Sequence, residues 1–144
     1  MGIPRILIVD DDSVTLGLLN DLLRVHMPNV AVETVDSSSI ALERLKRNTY
    51  DLLVTDLRMP EISGATLAQQ LYELRPSIPV VLMSGARSPR SLPPNMVAYL
   101  SKPIDRDCFL GIVSRAIHYH RFQLPTPDKI NNPNDCCDAD IMVS

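Results

Sequence analysis

Five short runs of aliphatic and β-branched residues, at positions 6–9, 30–35, 52–55, 80–83 and 97–100, are separated by stretches with helical periodicity. No other feature of the chain constrains its fold as much. Strands that alternate with helices pair in parallel, because each helix supplies the crossover to the next strand. The pattern therefore predicts an α/β fold, an open parallel sheet with helices on both faces.

The helical stretches carry their own punctuation. Ser13 is expected to cap the first, in which Val14, Leu18, Leu19, Leu22, Leu23 and Val25 mark one buried face until Pro28 and Asn29 stop it. Ser37, Ser38 and Ser39 open the second, which runs through Ala41, Leu42 and Leu45 to Lys46 and Arg47. Ser63 and Gly64 precede a third with Leu67, Leu71 and Leu74, ended by Arg75 and Pro76. The last begins near Asp105 and buries Phe109, Ile112, Val113, Ala116 and Ile117. Residues 1–121 are thus one domain, and the Pro-, Asn- and Asp-rich residues 122–144 are expected to form a flexible acidic tail. A chain of 144 residues has room for both.

Charge narrows the function classes. The net charge of −3 belongs to the tail, since residues 1–121 carry 13 basic and 13 acidic side chains. A balanced body has no basic stripe for a phosphate backbone, so direct nucleic-acid binding is not expected. No apolar run is long enough to span a bilayer, and residues 1–5 lack a signal-peptide pattern, so a cytoplasmic location is expected, with no membrane partner. Three cysteines at irregular spacing predict neither a disulfide scaffold nor a zinc site, with Cys108 a buried free thiol and Cys136 and Cys137 in the tail.

In open parallel sheets, functional groups gather beyond the carboxyl ends of the strands. Asp10, Asp11 and Asp12 follow the first run, Asp56 the third, Ser84 the fourth and Lys102 the fifth. Crowded carboxylates repel one another, and a hard divalent cation such as Mg2+ or Mn2+ relieves that repulsion. A carboxylate is also a nucleophile toward phosphorus. Lys102 would supply a positive charge and Ser84 a hydroxyl donor, which completes a set for phosphoryl transfer to a side chain.

The segments Ile6-Leu7-Ile8-Val9-Asp10-Asp11, Asp56-Leu57-Arg58-Met59-Pro60 with Gly64, Ser84-Gly85-Ala86, and Tyr99 ahead of Lys102-Pro103 resemble the receiver domains of two-component response regulators. The likeness runs from about residue 4 to about residue 121. It implies a doubly wound, five-stranded flavodoxin-like sheet with strand order 2-1-3-4-5. It implies that Asp56 accepts a phosphoryl group from a phosphohistidine on a histidine kinase or phosphotransfer protein. Asp11, Asp56 and the main-chain carbonyl of Arg58 would ligate the metal, with Asp10 acting through water. Lys102 would pair with the acyl phosphate, Ser84 would move to bond it, Tyr99 would turn inward behind it, and Pro103 would be structural. Such a domain is no enzyme in the ordinary sense; it catalyses its own phosphorylation and slow dephosphorylation, then controls a downstream protein. A second copy of the chain is a further candidate partner.

One departure stands out. The stretch between Ser84 and Lys102 is short for this family and contains Pro89, Pro93 and Pro94, so the fourth helix is expected to be short or irregular. Two rival readings remain at this stage. Asp10-x-Asp12 resembles the nucleophile motif of haloacid-dehalogenase phosphatases, though no later acidic pair follows a strand. A pseudo-receiver that only binds a partner is the other.

Overall fold

The computed structural model describes residues 2–85, 93–122 and 139–140. Its elements follow in the order β1 (Arg5–Val9), α1 (Ser13–His26), β2 (Ala31–Val35), α2 (Ser38–Arg47), β3 (Leu52–Asp56), α3 (Gly64–Leu74), β4 (Val80–Ser84), β5 (Met96–Ser101), α4 (Arg106–Phe122) and β6 (Ala139–Asp140). The sheet order is β2-β1-β3-β4-β5-β6, with the first five strands parallel. The expected 2-1-3-4-5 sheet is therefore present. The two-residue β6 pairs antiparallel with β5, an addition that the tail's composition did not suggest. The proline-rich segment falls largely on residues 86–92, outside the described residues; no helix lies between β4 and β5 among those described.

Two apolar clusters cover the faces of the sheet. Ile6, Ile8, Leu52, Val54, Val81 and Met83 meet Leu16, Leu19 and Leu23 of α1 and Phe109, Ile112, Val113 and Ala116 of α4 on one face. Leu7, Val9, Leu53, Val80 and Leu82 meet Ala41 and Leu45 of α2 and Leu67 and Leu71 of α3 on the other. Successive strand residues thus face opposite cores, which is why these runs are continuously apolar rather than alternating. β2 lies at the edge and is only partly buried, as its mixed sequence suggested.

Several local expectations need correction. Asp12, not Ser13, caps α1: its carboxylate accepts from the Val14 amide at 3.1 Å and the Thr15 hydroxyl at 2.8 Å. The buried stripe of α1 is Leu16, Leu19 and Leu23, whereas Val14, Leu18 and Val25 face solvent. Cys108 is fully buried but disulfide-bonded rather than free; Cys136 and Cys137 lie outside the described residues. At the pole where the strands begin, Asp51 accepts from Arg121 at 2.8 Å, from the Arg5 amide at 2.9 Å, and pairs with His120 at 3.0 Å. This tie fixes the last turns of α4 to the sheet. No described helix is long and apolar enough to cross a membrane.

Candidate functional site

Register brings the polar residues together. Val9 is level with Thr55, Asp56 with Met83, and Ser84 with Ser101. Asp10, Asp56, Ser84 and Lys102 therefore emerge from four adjacent strands at one edge. Backbone bonds hold the edge beyond the strands: Leu57 donates to the Met83 carbonyl at 2.7 Å, and Lys102 to that of Ser84 at 2.9 Å.

Carboxylate oxygens of Asp10, Asp11 and Asp56 all lie within 4.8 Å of one another. Asp10 is fully buried, Asp56 nearly so, and Asp11 is exposed at the mouth. Lys102 reaches across from β5, its ammonium 2.8 Å from Oδ2 of Asp10 and 3.2 Å from Oδ1 of Asp56. The other oxygen of Asp10, Oδ1, accepts from the Asp12 amide at 2.9 Å, so both of its oxygens are engaged.

The electrostatics follow from burial and crowding. Burial pushes the Asp56 carboxyl above its ordinary value, the neighbouring Asp10 charge pushes it further, and Lys102 offsets part of the rise. For Lys102, burial disfavours the charge, but the bond to Asp10 and the charges of Asp10 and Asp56 outweigh it and raise its affinity for the proton. One ammonium against three carboxylates leaves the site formally over-negative.

That excess is what a divalent cation would neutralise. Mg2+ binds oxygen at about 2.1 Å, so its ligands span roughly 4.2 Å at most, close to the spread of these three carboxylates. The donor set, all oxygen and partly open to solvent through Asp11, fits such an ion.

The loop from Asp56 to α3 is held tightly. The Gly64 amide donates to the Leu57 carbonyl at 2.8 Å, and a Cβ at Gly64 would sit 2.1 Å from the Asp56 carbonyl oxygen. Only glycine lets α3 start this close to the strand end. Arg58 is exposed on this loop. Ser84 is 2% exposed, and Tyr99 is fully buried in the cluster beneath α2 and α3. Pro103 follows Lys102 through a cis peptide bond.

All the residues singled out from sequence thus lie on this edge or beside it, except that Tyr99 belongs to the core beneath. Sequence reasoning read Ser38 only as part of a helix start; it is a buried polar residue of α2 whose hydroxyl reaches the same loop. No motif marks it. Only its serine identity at a position just inside a helix start could have drawn attention.

Residues 6–114 match the response regulator receiver domain family. The chain is 34% identical over 127 residues to the transcriptional regulatory protein ZraR of Escherichia coli, covering 85% of this chain and 28% of that protein. It is 33% identical over 140 residues to the DNA-binding transcriptional regulator NtrC of Klebsiella pneumoniae, covering 94% of this chain and 29% of that one. For the response regulator protein TodT of Pseudomonas putida the identity is 32% over 116 residues, covering 78% of this chain and 50% of TodT. The chain therefore spans half or less of these relatives. Among solved structures, a CheY-like receiver domain protein from Methanospirillum hungatei aligns with a TM-score of 0.78 at 24% identity, covering 85% of this chain and 99% of that one, a likeness of fold. The response regulator StyR aligns at 27% identity with a TM-score of 0.75, covering 85% of this chain and 63% of that one.

Proposed function

The chain belongs to the response regulator receiver domain family of two-component systems, and from that footing we propose that Asp56 is its phosphoacceptor. The observation that carries this reading is the placement of Asp56 at the end of β3, within 3.2 Å of the Lys102 ammonium and beside Asp10 and Asp11. Oδ1 or Oδ2 of Asp56 attacks the phosphorus of a phosphohistidine, the P–N bond breaks, and an acyl phosphate forms. Mg2+ or Mn2+, held by Asp11, Asp56 and the Arg58 carbonyl with Asp10 behind a water, would neutralise charge on the carboxylates and the transferring group. Lys102 offers its ammonium to a phosphoryl oxygen. Ser84, at the end of β4 between the strands that carry Asp56 and Lys102, offers its hydroxyl.

The donor in this reading is a histidine kinase or histidine phosphotransfer protein, and the setting is the cytoplasm. The domain catalyses its own phosphorylation and slow dephosphorylation. Its output is a changed surface near β4 and β5, read by a protein that binds the two states with different affinity. Family membership sets aside the phosphatase reading, and the engagement of both Asp10 oxygens agrees with that. A direct test maps the acceptor: after treatment with an acyl phosphate and Mg2+, borohydride reduction should convert residue 56, and no other aspartate, to homoserine.

A further inference from the structure

The loop between β3 and α3 contains a strained turn at a telling place. Glu61 has φ 70, the only positive value at a non-glycine residue among those described. The Ile62 amide donates back to the Pro60 carbonyl at 2.8 Å. A three-residue turn with its central φ near +70° is the rarer and strained hand of the γ-turn, and such strain persists only where the surroundings hold it. Here they do. The Ser38 hydroxyl donates to the Pro60 carbonyl at 3.0 Å and accepts from the Ile62 amide at 3.1 Å, gripping both ends of the turn. Next to it, the Ser39 hydroxyl donates to Oε2 of Glu61 at 2.6 Å, gripping the middle.

Both serines belong to the first turn of α2, which also packs on β1 and β2 through the second apolar cluster. The loop is anchored at its far end by the Gly64 amide on the Leu57 carbonyl. Residues 58 and 59 lie between these two anchors; Met59 also packs on the second apolar cluster, whereas Arg58 is exposed. If the carbonyl of Arg58 is a metal ligand, as in the proposed receiver reading, the braced turn begins two residues beyond it.

We propose that Ser38 is a positioning residue of the phosphoryl site: by clamping the Pro60–Glu61–Ile62 turn it presents the Arg58 carbonyl for Mg2+ and so sets the affinity for the ion. This inference rests on the receiver reading of Asp56 and deepens it. Ser38 is 2% exposed, and both hydrogen bonds of its hydroxyl among the described residues go to this one turn.

The test uses the full chain and three variants: Ser38→Ala, Ser39→Ala, and Ser37→Ala, which removes only the α2 cap on the Ile40 amide. Calorimetric titration with Mg2+ alone should show Ser38→Ala weakened about three- to tenfold, equivalent to passing on to the ion roughly half the free energy of two lost hydrogen bonds. Amide exchange across residues 57–64, measured without metal, should quicken in Ser38→Ala. Saturating Mg2+ should restore its rate of phosphoryl uptake. Ser37→Ala should lose thermal stability while keeping the parent's Mg2+ affinity. If Ser38→Ala does not fold, Ser39→Ala must show the same weakening in smaller degree. Parent-like Mg2+ affinity in Ser38→Ala, or equal weakening in Ser37→Ala, overturns the proposal while leaving the receiver reading standing. A parent that neither binds Mg2+ nor takes up phosphate would instead remove the reading on which it rests.

Discussion

Nζ of Lys102 stands 3.2 Å from Oδ1 of Asp56, across 46 residues of sequence. The same ammonium is closer still, at 2.8 Å, to the fully buried Asp10. It therefore serves two purposes: it neutralises a carboxylate that solvent cannot reach, and it stands beside the proposed phosphoacceptor.

Lys102→Ala should separate these purposes. Leaving Asp10 unpaired should cost about 3 kcal/mol of stability, the low end for breaking a buried pair, because a quarter of the lysine side chain meets solvent. Phosphoryl uptake should slow by about 100-fold or more, as expected for loss of one preorganised charge. Denaturant unfolding and the uptake rate at saturating Mg2+ measure the two separately.

Asp56 is kept at a cost to the metal-free fold. Its folded-state affinity for the proton is raised, first by burial and then by Asp10, so its ionised form is better accommodated in the unfolded chain. Metal-free stability should therefore fall as pH rises through the folded value and recover below it. Asp56→Asn should raise the metal-free Tm at pH 7 by a few degrees and flatten this part of the pH profile. An unchanged Tm across the range would show that the carboxylate is not strained.

At the opposite pole the sign reverses. Burial raises Asp51, but the bond from Arg121, the Arg5 amide and His120 together hold it below the usual aspartate value. The stability it contributes is complete above the unfolded value of 3.8 and is lost as pH falls through the lower folded value. Asp51→Asn should cost about 2 kcal/mol at pH 7 and remove most of that acid-side loss, measurable by urea unfolding at successive pH values.

Two glycines should respond oppositely to one methyl group. Gly64→Ala would push a Cβ to 2.1 Å from the Asp56 carbonyl oxygen, so α3 or Asp56 must shift. We expect a loss of about 2–3 kcal/mol and a marked fall in phosphoryl uptake even where the variant is folded. Gly17, in the middle of α1, has nothing within 4 Å of such an atom, and Gly17→Ala should stabilise by about 0.5–1 kcal/mol.

The sheet order and the acidic edge were legible because each leaves a local mark: an apolar run, then a polar residue at its end. Which face of α1 is buried was not. Its leucines and valines form two overlapping stripes, and periodicity alone cannot choose between Leu16–Leu19–Leu23 and Val14–Leu18–Val25. Leu19→Ala should therefore cost about 2–5 kcal/mol, and Leu18→Ala, at a residue 51% exposed, well under 1. Ser38 and the Asp51–Arg121 tie were invisible for a different reason: their partners lie 22 to 70 residues away, and single polar residues carry no period.

The most direct test of the central claim is the intact mass of the full chain after incubation with an acyl phosphate, with Mg2+ and with chelator, alongside Asp56→Asn. One phosphoryl adduct is expected on the parent, requiring the metal and absent from Asp56→Asn. An adduct that persists in Asp56→Asn, or none on the parent with Mg2+ present, would contradict it.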